Sequence, residues 1–251
     1  DHIYKMDYNQ MLETHVKNDA DVTIAATKVP YKETSRFGIL ECDGRGKVVG
    51  FQEKPLNSSS NLASMGIYIF SLSVLEDLFF NSSETDLTDF GKDILPLCLK
   101  KERSVHIHQF EDYWRDVGTI ESLYEANMDL LEDSHFLGLN SSKQMPVFSK
   151  SLNLPPHMIL NSGQVKSSVI ADGCLIEGNI IHSTIAYRVN VQSSSVIEDS
   201  VVLPDVKIGK NVYIKKAVVN QGVIVPNNYY FKGLEVTLLT QENLLEVGEI
   251  K

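Results

Sequence analysis

The feature that most constrains the fold is a series of aliphatic residues that recurs every five or six positions between residues 165 and 225. An amphipathic helix would need a period of 3.6 and a half-buried strand a period of two, so neither explains this spacing. A period near six predicts a parallel β-helix, in which each repeat forms one side of a triangular coil and turns one aliphatic side chain inward. The predicted inward residues are Ile170, Ile176, Ile181, Val191, Ile197, Val202, Ile208, Ile214, Val219 and Ile224, with one double step after Ile181.

The first half of the chain has a different pattern, in which β-branched segments alternate with helical ones. We predict strands over residues 20–29, 37–42, 48–52, 65–70 and 105–110, and helices over residues 7–18, 71–80 and 119–131. Such alternation is typical of an α/β layered sheet.

A polar segment separates the two patterns and includes Pro155-Pro156. We therefore predict an α/β domain over residues 1–135, a linker over 136–163 and a structural or regulatory β-helix over 164–251.

Charge and composition exclude several kinds of protein. The chain has 23 basic and 33 acidic residues, a net charge of −10, which argues against a general nucleic-acid surface but not against a local phosphate site. No apolar run of membrane-spanning length is present, so we expect no membrane partner. Cys42, Cys98 and Cys174 lie far apart without metal-ligand spacing, which predicts buried thiols in a reducing, cytoplasmic compartment.

Glu53-Lys54-Pro55 follows a predicted strand, where α/β proteins collect their ligand-binding residues. The Lys54 ammonium suits a phosphate, and the Glu53 carboxylate can accept hydrogen bonds from sugar hydroxyls. The alternative is that these residues are ordinary surface residues with no ligand. Gly38 and Ser64 are small residues beside strands that would let a ligand approach the backbone, although plain turn positions explain them equally well.

Asp1 and Asp116 are candidate ligands for a divalent cation. Asp116 directly precedes the predicted helix, so the simpler interpretation is that Asp116 or Thr119 caps that helix. Two carboxylates brought together would suit Mg²⁺, which prefers oxygen ligands and often bridges phosphates. The neighbouring Trp114 is either a core aromatic or one wall of a sugar pocket.

Seven ordered motifs give the chain a family resemblance. It resembles bacterial ADP-glucose pyrophosphorylase, or glucose-1-phosphate adenylyltransferase, over nearly its whole length. The motifs are Asp1-His2-Ile3-Tyr4-Lys5-Met6-Asp7-Tyr8, Arg36-Phe37-Gly38-Ile39, Phe51-Gln52-Glu53-Lys54-Pro55, Ala63-Ser64-Met65-Gly66-Ile67-Tyr68, Asp89-Phe90-Gly91-Lys92-Asp93, Tyr113-Trp114-Arg115-Asp116-Val117-Gly118-Thr119-Ile120 and Glu125-Ala126-Asn127-Met128-Asp129-Leu130.

The resemblance implies a fold, a reaction and a set of site residues. The fold would be a partial nucleotidyltransferase (Rossmann-like) mixed-sheet domain followed by a left-handed parallel β-helix. The reaction would make ADP-glucose, for glycogen synthesis, and pyrophosphate from ATP and glucose 1-phosphate, with Mg²⁺ held by the catalytic Asp1 and Asp116. Lys54 would hold the sugar phosphate, Glu53 and Ser64 the glucose hydroxyls, and Gly38 would lie nearby.

The family's glycine-rich nucleotide loop comes before the segment that matches Asp1. The resemblance therefore leads us to expect that these residues are a C-terminal portion of a longer enzyme. We expect this portion alone to bind ATP poorly and to make no ADP-glucose. It also implies a homotetramer, or a hetero-oligomer with a sister subunit.

Three alternatives stay open. The chain could be a non-catalytic regulatory or assembly subunit, although its retained Asp1, Asp116 and Lys54 favour catalysis. It could make another nucleotide sugar. It could also be a hexapeptide-repeat acyltransferase, for which His182 is the one candidate histidine in the coil.

Overall fold

The structure is a computed structural model that describes residues 1–80, 87–132, 148, 150–160 and 162–251. Much of the predicted linker at 136–163 lies outside the described residues. The chain forms two compact units. We call Lys5–Asp112 the sheet unit, and Asp1–Tyr4 together with Tyr113–Lys251 the coil unit. The predicted domain limits at 135 and 164 stay a prediction, and residues 113–132 group with the coil.

The sheet unit alternates strands and helices as predicted. Its elements are α1 (Tyr8–Lys17), β2 (Val22–Lys28), β3 (Gly38–Cys42), β4 (Val48–Glu53), β5 (Leu62–Phe70), α2 (Leu72–Phe80), α3 (Leu95–Lys100) and β6 (Val105–Gln109), with β1 (His2–Tyr4) of the coil unit before them. The sequence pattern did not predict α3, nor the short 3₁₀ and π turns at Tyr31–Arg36 and Phe90–Ile94.

The sheet has the strand order β4-β3-β5-β2-β6 and is mixed, because β2 pairs parallel with β6 and antiparallel with β5. Six of the seven residues of β2 are buried, as expected for a central strand covered on both faces. The predicted hairpin is confirmed: β3 and β4 pair antiparallel, and Asp43 Oδ1 accepts the amide hydrogens of Arg45 and Lys47 in the turn.

The coil unit contains β7 (Trp114–Asp116), α4 (Ile120–Glu132) and a parallel β-helix. The strands of the β-helix are β8 (Met158–Ile159), β9 (Gln164–Lys166), β10 (Val169–Ile170), β11 (Leu175–Ile176), β12 (Asn179–Ile181), β13 (Thr184–Ile185), β14 (Asn190–Val191), β15 (Val196–Glu198), β16 (Val201–Val202), β17 (Lys207–Ile208), β18 (Tyr213–Val219), β19 (Ile224–Val225) and β20 (Tyr229–Leu239). A short helix α5 (Leu244–Val247) and strand β21 (Glu249–Ile250) follow.

Successive coils stack in parallel, as the repeat predicted. Val191 pairs with Ile208, and Ile197 with Ile214, 17 residues later in each case. The aliphatic side chains of these positions fill the axis of the coil, where Ile176, Val191, Ile197, Val202, Ile208, Ile214 and Val219 are all fully buried. Burial of this stack removes apolar surface from water and so stabilises the coil.

The predicted register was wrong at two places. Ile180 points inward and Ile181 lies at the partly exposed position, while Val225 is buried and Ile224 is 55% exposed. Buried Ile185 occupies the predicted double step, so the series has no gap there. Where two aliphatic residues are adjacent, hydrophobicity alone does not say which one faces the core.

Helix α4 covers one outer face of the coil. Met128 is buried together with Val201 and Val218, and further apolar residues of α4 and of β20 pack around them. The Tyr124 hydroxyl donates to the Asp199 carbonyl (2.9 Å), and Thr184 Oγ1 donates to Asn127 Oδ1 (3.2 Å). The helix is therefore part of the coil's packing and not a free connection.

Among the described residues, no helix has the length and apolarity that a membrane crossing requires. All three thiols are free. Cys98 and Cys174 are buried, as predicted, whereas Cys42 is only half-buried.

Candidate functional site

Three of the predicted binding residues lie at one end of the sheet. Gly38 begins β3 and pairs with Glu53, the last residue of β4. The next residue, Ile39, pairs with Ala63 of β5, whose neighbour is Ser64. The antiparallel order β4-β3-β5 thus brings Gly38, Glu53 and Ser64 to the same end of the sheet.

Gly38 is required by the position of the Glu53 carboxylate. A Cβ atom at Gly38 would lie 2.9 Å from Glu53 Oε2 and 2.6 Å from the Phe51 ring. A Cβ atom at Gly91 would lie 3.2 Å from the same oxygen. Two glycines therefore leave room for this exposed acceptor, which can turn toward a polyhydroxylated ligand.

A bulge in β5 positions Ser64 beside Tyr68. The pairing of β5 with β2 shifts between Ile24 and Ala26, and Gly66 takes a φ of +70° in the extra turn of chain. Ser64 Oγ then lies 3.4 Å from the Tyr68 hydroxyl. Bulges commonly re-aim side chains next to functional sites.

Tyr68 is a neutral phenol in this setting. Burial, helped by the negative charges of Glu53 and Asp89, raises the pKa of its hydroxyl, against the smaller opposite effect of the Ser64 hydrogen bond. Its ring stacks on Phe90 with centroids 5.5 Å apart. Tyr68 can therefore donate as well as accept a hydrogen bond at this end of the sheet.

Asp89 fixes the segment that faces Glu53. Its Oδ1 accepts the amide hydrogens of Gly91 and Lys92, both at 2.8 Å, and so caps the turn that leads into α3. Asp93 Oδ2 accepts from the Thr88 and Asp89 amides, and these backbone hydrogen bonds lower the pKa of Asp93. The sequence alone assigned no role to Asp89, and its capping pattern was the signal that could have found it.

Lys54 follows Glu53 directly and is exposed. Its backbone has a φ of +47°, an uncommon conformation for a residue with a side chain, and its amide donates to the Phe37 carbonyl at 3.0 Å. Within the part of the chain that the structure describes, no carboxylate forms an ion pair with its ammonium. A fixed backbone and an uncommitted cation together suit an anionic ligand.

Of the two candidate metal ligands in the coil unit, Asp116 ends strand β7 and Asp1 directly precedes its partner strand β1. Strands β1 and β7 are antiparallel, His2 pairs with Asp116, and the Val117 amide donates to the Asp1 carbonyl at 2.8 Å. Asp1 is exposed, and the Asp116 side chain is 24% exposed. Thr119, and not Asp116, accepts the amide hydrogen of Ser122 at the start of α4, so the Asp116 carboxylate is not used as a cap.

Carboxylates are the ligand type that Mg²⁺ takes, and the pairing of β1 with β7 brings Asp1 and Asp116 onto neighbouring segments of backbone. The described residues hold no cluster of three or more metal-binding side chains. Mg²⁺ is usually bound by one or two carboxylates, with waters and substrate phosphates completing its shell. His2 Nε2 lies 3.7 Å from Asp116 Oδ1, and the His2 and Trp114 rings pack edge to face 5.4 Å apart. The His2 ring therefore borders the Asp116 carboxylate, and Trp114 packs on that ring.

The predicted residues are thus divided between the two units. Gly38, Glu53, Lys54 and Ser64 gather in the sheet unit, and Asp1 and Asp116 in the coil unit. His182, the candidate acyltransferase residue, hydrogen-bonds Asp199 at 2.8 Å and lies 3.4 Å from Glu132 of α4. In this structure its ring joins α4 to the coil.

Sequence comparison places these features among known proteins. Residues 1–133 match the nucleotidyl transferase family, and residues 156–232 match the family described as GlmU-like, C-terminal hexapeptide. Glucose-1-phosphate adenylyltransferases of Bacillus mycoides (strain KBAB4), Bacillus cereus (strain Q1) and Bacillus anthracis are each 45% identical to it over 227 residues, which is 90% of this chain. The chain spans 60% of the length of these relatives.

Proposed function

Because this chain belongs to the nucleotidyl transferase family, we propose that it is the sugar-phosphate-binding part of a glucose-1-phosphate adenylyltransferase. The proposed reaction joins glucose 1-phosphate to the adenylyl group of ATP and releases pyrophosphate. The observation that carries this proposal is the end of the sheet formed by Gly38, Glu53, Lys54 and Ser64. It combines hydroxyl-binding groups with the Lys54 cation, which has no ion-pair partner among the described residues.

Each group in the sheet unit has a chemical task in this proposal. The Lys54 ammonium neutralises the phosphate of glucose 1-phosphate, and its exposed position leaves it free to do so. The Glu53 carboxylate accepts hydrogen bonds from glucose hydroxyls. The Ser64 and Tyr68 hydroxyls, which lie 3.4 Å apart, donate or accept as the sugar requires.

Asp1 and Asp116 would hold Mg²⁺, which supplies charge neutralisation on the phosphates when it is bound. Phosphoryl-type transfer by in-line displacement depends mainly on positioning and on charge stabilisation, because the protein does little covalent chemistry. The task of this chain is therefore to hold the phosphate oxygen of the sugar ready to displace pyrophosphate from the α-phosphorus.

Pyrophosphate release, measured with glucose 1-phosphate, Mg²⁺ and each of ATP, UTP, CTP and dTTP, tests the proposal. The protein to use is one that contains these 251 residues. We expect ATP to be the preferred nucleotide and Asp116→Asn to lose most of the rate, while Asp205→Asn on the coil keeps it. Faster turnover with another nucleotide would assign the chain to a different nucleotide sugar. Turnover only in the presence of a sister subunit would favour the non-catalytic alternative.

Assembly as a homotetramer, or with a sister subunit, is part of the same proposal. The relatives' names say nothing of assembly, so the support is limited to the exposed outer faces of the coil, where Met158 and Ile224 lie on one face. Light scattering of the purified protein would give the number of copies.

A further inference from the structure

Arg115 lies between Trp114 and the candidate metal ligand Asp116 on β7, yet its guanidinium turns away to helix α4. There, Nη1 lies 2.6 Å from Glu125 Oε2 and Nη2 lies 2.8 Å from Asp129 Oδ2. Side chains alternate along a strand, so Arg115 lies on the face opposite to Trp114 and Asp116.

Tyr113 completes a closed set of hydrogen bonds with Arg115. Its hydroxyl donates to Asp129 Oδ2 at 2.8 Å and accepts from Arg115 Nε at 3.3 Å. Burial, and then the Asp129 hydrogen bond, raise the pKa of Tyr113 to about 12, so the hydroxyl keeps its proton. Asp129 therefore contacts both Tyr113 and Arg115, the residues that lead to Asp116.

The strand pair formed by β1, which follows Asp1, and β7, which ends at Asp116, needs such support. The ladder between β1 and β7 has three residue pairs, and no third strand joins it among the described residues. An isolated two-stranded ladder is only marginally stable in water. Helix α4, by contrast, is packed on the coil through Met128 and Tyr124.

We infer that Arg115 is a positioning residue, which fixes the strand of Asp116 to the coil-packed helix α4 and so holds the Asp1–Asp116 pair in a metal-binding arrangement. This inference rests on the proposed function, because it assigns a metal to that pair. The simpler explanation of the Arg115 contacts is a solvated surface ion pair that contributes little to stability. Glu125, at 58% exposed, fits that explanation. Asp129, at 28% exposed and shared with Tyr113, does not.

The test is Mn²⁺ binding by the full 251-residue chain, measured by electron paramagnetic resonance, with the wild type beside Arg115→Met. Mn²⁺ takes the oxygen ligands that Mg²⁺ takes and gives a signal. Loss of an outer-shell partner typically weakens metal affinity by 10–100-fold, so we expect Arg115→Met to bind about 10-fold more weakly. Arg115→Lys keeps the charge without the fork and should fall between the two.

Two controls separate positioning from general loss of stability. Arg188→Met removes another Arg–carboxylate pair of the coil unit, that with Asp205, and should leave Mn²⁺ affinity unchanged. Asp129→Asn keeps Arg115 but removes the less exposed of its two carboxylate partners, and should weaken Mn²⁺ binding as Arg115→Met does. Hydrogen exchange of the Val117 amide, which donates to Asp1, should accelerate in Arg115→Met while coil amides keep their rates.

Each outcome decides the matter. Wild-type affinity in Arg115→Met, or an equal loss in Arg188→Met, would overturn the positioning role while leaving the proposed function intact. A wild-type chain that binds no Mn²⁺ would overturn the metal role of Asp1 and Asp116, and with it this inference. If Arg115→Met does not fold, the same comparison made with Asp129→Asn and Arg188→Met settles it.

Discussion

At the scale of single residues, the glycine at position 38 does as much for the candidate site as the charged residues. The exposed Glu53 carboxylate and the Phe51 ring occupy the space that any side chain at this position would take. Gly44, six residues along the same hairpin, has open space where its Cβ atom would lie, with nothing within 4 Å. The two glycines are therefore a matched pair for testing the role of close packing.

Gly38→Ala should displace Glu53 and raise the half-saturating concentration of glucose 1-phosphate, because contacts below 3.0 Å force the neighbouring side chains to move. Gly44→Ala should leave that concentration unchanged. Steady-state kinetics over a range of glucose 1-phosphate concentrations would measure both. Equal effects of the two substitutions would show that Glu53 does not need the space at Gly38.

The sequence was informative about some of these residues and not about others. Glu53, Lys54 and Ser64 could be proposed because their chemistry and their place after strands were visible. Tyr68 and Asp89 could not be placed beside them. The position of Tyr68 depends on the bulge at Gly66. Asp89 lies beside β4 only because the turn that it caps, much later in the chain, folds back onto Glu53 and Phe51. Local patterns carry no distance information of that kind.

At the scale of elements, the coil illustrates which part of a repeat is predictable. Spacing near six fixed the architecture, since no helix or alternating strand has that period. The inward residue stayed ambiguous at Ile180-Ile181 and Ile224-Val225, because both members of each pair are aliphatic and β-branched. Stacking decided between them: Ile180 pairs with Ile197, which is also fully buried.

Ile180→Ala should destabilise the coil far more than Ile181→Ala does. Removing a fully buried isoleucine side chain costs about 2–5 kcal/mol, because a cavity is left in the core, whereas a partly exposed position loses much less. Chemical denaturation of the two variants, followed by circular dichroism, gives the comparison. A larger loss for Ile181→Ala would return the coil to the register predicted from sequence.

The sheet unit should lose stability on mild acidification. Burial lowers the pKa of His15, His106 and His108 below the ordinary value of 6.5. The unfolded chain then binds protons more readily than the folded sheet, so stability falls as pH decreases from about 6.5 and is kept above it. In the coil, Arg188 lowers the pKa of Asp205 below 3.8, so that contribution is lost only at much lower pH.

Hydrogen exchange at pH 7.5 and pH 5.5, corrected for intrinsic rates, would measure this difference between units. We expect β2 amides to lose protection and β15 amides to keep it. His15→Gln, which can still bond Thr23 and Ser71 but does not titrate in this range, should reduce the loss in β2. Equal loss in β2 and β15, or no effect of His15→Gln, would contradict the assignment to buried histidines.

At the scale of the whole molecule, each compact unit holds a different part of the candidate chemistry. The sheet unit holds the residues proposed to bind the sugar phosphate, and the coil unit holds the proposed metal ligands on a strand pair fixed to α4. Helix α4 packs on the β-helix and also pairs with Arg115 of the strand that contains Asp116. The β-helix is therefore connected to the candidate metal ligand through α4. The sequence predicted both folds, but it gave no sign that residues 113–132 pack with the coil.

The central claim is that this chain binds glucose 1-phosphate through Lys54. Calorimetric titration of glucose 1-phosphate into the chain, beside Lys54→Ala and the control Lys210→Ala on the coil, tests it most directly. We predict one binding site per chain, affinity lowered at least 10-fold in Lys54→Ala because about 1.4 kcal/mol or more of charge-assisted bonding is lost, and no change in Lys210→Ala. Binding that is equal in all three proteins, or absent from the wild type, would contradict the claim.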